Sequence, residues 1–131
     1  MRSVIFVIML TAASSALASE VPNEFLGEWV PQTASCQSKL KFRVEPNRVI
    51  LQNRGTKKVF SDIDICYSCE GGAHYNGKVA WLTPEFNSKA PAPFTAYFNA
   101  GEMQGVTKLE IRSSEIQKIF PLNNVALKNC K

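Results

Sequence analysis

Polar and apolar residues alternate strictly from Lys39 to Glu45, with Leu40, Phe42 and Val44 on one face and Lys39, Lys41, Arg43 and Glu45 on the other. A period of two marks a strand with one buried face and one wet face. Glu45-Pro46-Asn47 is a turn signal, and Arg48 to Gln52 returns as the next strand. Asn53-Arg54-Gly55 signals a second turn. From Val59 the alternation resumes and predicts one continuous strand. Val59, Ser61, Ile63, Ile65 and Tyr67 share a face, and Phe60, Asp62, Asp64 and Cys66 lie opposite. Beyond a tight Cys66–Gly72 loop, Gly77, Val79 and Trp81 fall together, with Lys78, Ala80 and Leu82 opposite. Thr83 to Pro93 holds Pro84, Pro91 and Pro93 and reads as the longest irregular piece.

Phe94 to Asn99 is an aromatic-rich strand, and Ala100 to Gly105 turns the chain. In Val106 to Arg112, Leu109 and Ile111 point inward while Lys108, Glu110 and Arg112 point outward. Ser113 to Glu115 breaks the pattern. Ile116 to Phe120 fits either a strand or one helical turn ended by Pro121, and Val125 to Cys130 is a short last strand. With Phe25 to Val30 at the front, this makes about eight short strands and no long amphipathic helix, the spacing of an all-β domain. We expect a small antiparallel barrel, because closure removes sheet edges. A β-sandwich is the alternative.

Phe25-Leu26-Gly27-Glu28-Trp29 resembles the G-x-W start of the lipocalin and fatty-acid-binding (calycin) barrels. In that group the tryptophan plugs one barrel end, and a cysteine early in the chain is joined to one near the carboxyl terminus. The resemblance implies a ligand-binding barrel and an arginine packed on Trp29, for which Arg112 is the candidate by position. Size, export and disulfides are also similar in architecture to bacterial lysozyme inhibitors. That implies an interaction module.

The amino terminus changes the setting. Met1-Arg2, the apolar run Val4 to Leu10 and the small residues ending Ala16-Leu17-Ala18 form the pattern of a cleaved secretory signal. The run is far short of the ~20 residues that cross a bilayer. Residues 1–18 are therefore expected to be a signal peptide, and 19–131 one periplasmic or secreted domain without a membrane span. The formal charge is +4 at pH 7, with the basic residues scattered, so no nucleic-acid footprint is indicated.

Cys36, Cys66, Cys69 and Cys130 make an even count, and in an exported chain two disulfides are the default. Three connectivities are open. Cys36–Cys130 with Cys66–Cys69 is preferred, since the first pair would tie an early strand to the last. Cys66-Tyr67-Ser68-Cys69 is also a C-x-x-C motif. Haem attachment would need histidine where Glu70 stands, and a redox pair needs a helix start to lower the thiol pKa. Cys66, Cys69 and His74 have zinc-ligand types and spacing, but an oxidising compartment favours the disulfide.

No G-x-S-x-G elbow is present. Asp62 and Asp64 would share a strand face, more in keeping with a solvated stripe opposite Lys39, Lys41 and Arg43 than with acid–base work. The expectation is a non-enzyme without a cofactor, binding a small apolar ligand in the barrel. Phe42, Ile63, Ile65, Val79, Trp81 and Phe98 would line the interior, with Phe94 and Leu109 beside them. The alternative is a protein-interaction or inhibitor module for an envelope or secreted partner, using the Cys66–Gly72 and Thr83–Pro93 loops with Tyr67, Tyr75 and Phe86 as anchors.

Overall fold

The structure is a computed structural model that describes residues 20–67, 79–85 and 91–131. The expected signal peptide, Cys69, His74, Tyr75 and Phe86 lie outside the described residues. Among those described, nine strands form one antiparallel sheet: β1 (Gly27–Pro31), β2 (Leu40–Glu45), β3 (Arg48–Asn53), β4 (Thr56–Phe60), β5 (Ile63–Cys66), β6 (Ala80–Pro84), β7 (Phe94–Phe98), β8 (Val106–Ile111) and β9 (Leu127–Asn129). Their spatial order is β4-β3-β2-β1-β9-β8-β7-β6-β5. Every neighbouring pair is antiparallel. The sheet is an up-and-down meander whose first and last strands, β1 and β9, pair at its middle.

The two edges, β4 and β5, then run in the same direction. Only Ser61 and Asp62 separate them, far too little chain for the crossover that a parallel pair requires. They are two segments of one bent ribbon, the first bonded to β3 and the second to β6. The β6 side takes over at the bend itself, where the Asp62 carbonyl accepts from the Glu85 N–H at 2.7 Å. This ribbon joins the sheet's edges and makes the architecture a nearly closed barrel. Counted as one, its two segments reconcile the nine strands with the eight expected.

The bend also corrects the expected alternation. Phe60 is fully buried and Val59 is 47% exposed, whereas Ile63 and Ile65 pack against the core. Strict period two from Phe60 would turn Ile63 outward, so the pleat slips by one residue at Ser61–Asp62.

Inward rows are filled by large side chains. Phe94 of β7 meets Phe42 edge-on at 5.8 Å between ring centroids and Phe60 at 5.2 Å, joining the two sides of the barrel. Toward one end Phe25 stacks on Phe98 at 4.4 Å, and Trp29 lies 6.0 Å from the same ring. The Trp29 indole N–H is satisfied by the Phe25 carbonyl at 2.9 Å. Gly27 is required here: its φ is +119°, and a Cβ would sit 3.0 Å from the Asn129 side chain.

The other end is covered by α1 (Ser114–Ile119), which contributes Ile116, with Phe120 and Leu122 following. Ser113 is its N-cap, its hydroxyl accepting from the Ile116 N–H at 3.2 Å. The break read at Ser113 is therefore a helix start. The Asn53 side chain of β3 donates to the Ile119 carbonyl at 2.9 Å and anchors the helix across the barrel. Cys36 and Cys130 are joined, with Cα atoms 5.7 Å apart across 94 residues of sequence.

Candidate ligand-binding cleft

The residues expected to line an internal cavity do not act together. Phe42 and Phe98 are fully buried among other rings, and Ile63 and Ile65 are half-buried against the core. Val79 is buried just ahead of β6, apart from the main core cluster. Trp81 is the clear departure, because it faces outward. The β6–β7 register places Ala80 opposite Phe98 and Leu82 opposite Ala96, all buried, and Trp81 opposite Tyr97 on the outer wall. Val79-Ala80-Trp81-Leu82 is apolar at every position, so period two could not choose its inner face. Pairing with β7 made the choice.

One outer row runs Cys66, Trp81, Tyr97, Lys108 across β5 to β8. The Trp81 and Tyr97 rings meet edge-on at 5.0 Å. The next row holds Asp64 opposite Thr83, with Thr95 opposite Glu110. Between these rows and the Pro91–Ala92 segment lies a cleft of about 430 Å³. Asp64, Cys66, Trp81, Thr83 and Thr95 form its floor, and Ile65, Pro91, Ala92 and Arg112 border it. Trp81 and Tyr97 also wall a second recess of about 320 Å³ on the Lys108 side.

Most polar groups around the cleft are committed. The Arg112 guanidinium donates to Thr95 Oγ1 at 2.9 Å, satisfying a hydroxyl that the fold buries, and pairs with Glu110 at 3.4 Å. Glu110 also accepts from the Tyr97 hydroxyl at 2.7 Å. Arg112 is thus tied into an outer-wall network, a departure from the Trp29 partnership that the family resemblance implies. Asp64 differs: it is exposed and, among the described residues, its carboxylate has no hydrogen bond or ion pair.

The expected pairing of Asp62 and Asp64 with β2 is also corrected. β5 does not neighbour β2 in the sheet. Lys41 and Arg43 instead hold Glu28 of β1, at 3.1 and 2.7 Å. The Arg43 and Lys41 hydrogen bonds keep the Glu28 carboxyl below the usual carboxylate range.

Cys66 is disulfide-bonded and so is not a free thiolate ligand for zinc. The rest of that ligand set, Cys69 and His74, lies outside the described residues, as does the expected partner of Cys66. Tyr67, the residue after Cys66, is 55% exposed, while the other expected anchors, Tyr75 and Phe86, lie outside the described residues. Among the described residues, no helix is long and apolar enough to cross a membrane. Pro91 belongs to the Thr83–Pro93 loop read as a binding surface, whereas Thr95 escaped sequence reasoning because nothing local marks an outward threonine as a cleft floor; only the neighbouring strands do.

Comparison with known proteins finds no matching family model, curated protein or solved structure.

Proposed function

We propose that this protein is an exported, noncatalytic binding protein whose ligand sits against the outer wall of β5 to β7, not inside the barrel. The observation that carries the reading is the contrast between a ring-filled interior and the 430 Å³ cleft floored by Trp81. A concave, largely apolar recess with a few polar groups is the common form of a small-molecule site. Export rests on the amino-terminal pattern, and the oxidised cysteines support it. Kinship with the calycin barrels belongs to the same reading. It draws on Gly27 and Trp29 at one end of a nearly closed barrel and on the Cys36–Cys130 link.

Titration with the neutral probe N-phenyl-1-naphthylamine tests the site. Saturable probe enhancement is expected for the wild type. It is abolished by Thr83→Trp, which projects an indole into the cleft and leaves the core intact. Binding that survives this substitution, or no saturable binding by the wild type, overturns the reading. The exposed Tyr67, next in the chain to Cys66, favours a second reading, in which an envelope or secreted protein docks at this loop.

A further inference from the structure

We infer that the cleft selects an organic cation, a quaternary or primary ammonium carried on an apolar body, held between the Asp64 carboxylate and the Trp81 indole. The inference rests on the cleft reading above and adds the charge of its ligand. Three observations carry it. Asp64 lies on the cleft floor, one row along from Trp81 on the adjacent strand. That diagonal spacing is within reach of an aromatic side chain. Trp81 offers an aromatic surface to the same recess, and tryptophan is the best of the rings at attracting a cation.

The third observation concerns which charges are spent. Arg112, the cation at the border, already serves Thr95 and Glu110, and Glu110 is shared between Arg112 and Tyr97. An anionic ligand would have to compete with Glu110 for Arg112 and would meet Asp64 unscreened. A cationic ligand leaves the Arg112–Thr95 and Arg112–Glu110 contacts in place. It gains an uncommitted carboxylate and a ring, while Pro91, Ala92 and Ile65 accept the apolar body.

Isothermal titration with three probes of matched shape decides the matter: benzyltrimethylammonium, its neutral isostere neopentylbenzene, and the anion phenylmethanesulfonate. The ammonium is expected to bind about fivefold or more tighter than the neutral isostere, with the sulfonate weakest. Asp64→Asn should bring the ammonium's affinity down toward that of neopentylbenzene and so remove most of that preference. Raising the salt should narrow the gap in the wild type. Equal binding of the ammonium and the neutral probe, or an Asp64→Asn variant that keeps the preference, overturns the charge assignment while the cleft stands. If none of the three binds, and N-phenyl-1-naphthylamine does not bind either, the cleft reading falls with it. Trp81→Leu supplies the second arm: it should weaken the ammonium more than the neutral probe, and equal losses would count against the inference.

Discussion

The outer faces of β1–β2 and of β5–β7 are built on the same pleat, with opposite outcomes. On β1–β2, Glu28 stands between Lys41 and Arg43 and every one of those charges is answered. On β5–β7 the outward row carries Trp81 and Tyr97, a cleft lies beside them, and among the described residues Asp64 is left unanswered. A wall that satisfies its own charges offers little to a ligand. A wall with an aromatic surface, a recess and a spare carboxylate has something left to bind with. The inner faces do not differ in this way, since both halves give bulky apolar residues to one core.

The largest test of that shared core is the staple beside β1 and β9. The loop closed by Cys36–Cys130 spans 94 residues. Replacing both cysteines by serine should cost about 4–5 kcal/mol in the chain-entropy account. Urea unfolding of the double variant measures it. A loss below about 1 kcal/mol would mean that the unfolded chain is already constrained.

Phe94→Ala comes next. Phe94 touches Phe42 and Phe60, so the cavity would open where the two sides of the barrel meet. A loss of about 3–5 kcal/mol is expected, in one cooperative transition. Separate transitions for the two halves would break the picture of a single core.

The smallest effect sharpens the comparison most directly. Glu28→Gln should cost at most about 1 kcal/mol, because the carboxylate is still partly exposed to solvent. Its folded-state pKa lies below the unfolded one, so its contribution is present above the unfolded pKa of about 4.3. That contribution is lost as the pH falls through the folded value. The wild-type and Glu28→Gln stability curves should therefore converge in acid. Asp64→Asn, with no partner to lose among the described residues, should leave the thermal midpoint in place at neutral pH. A loss at Asp64 as large as that at Glu28 would dissolve the contrast.

Most of the wall was legible before the fold was known. The alternation of Leu40, Phe42 and Val44, and of Leu109 and Ile111, is one-sided, and one-sided patterns carry their own orientation. The Glu45-Pro46-Asn47 turn fixed the β2–β3 hairpin in the same way. The cleft was not legible, because its pieces come from β5, β6, β7 and the residue after β8, and the key strand is apolar on both faces. Ser61–Asp62 hid the bend, since a single-residue slip leaves a run that still alternates on each side of it.

By itself the sequence determined the class of the protein: short strands, turns at their ends, and an even set of cysteines for which Cys36–Cys130 is the preferred of three open pairings. These are local or covalent properties, written in the spacing of neighbours. Tertiary structure alone decided that Trp81 faces out, that Arg112 serves Thr95 and Glu110, and that Asp64 lines a recess. Each depends on which strand lies alongside, and that register is set by how the whole set of inward side chains packs at once.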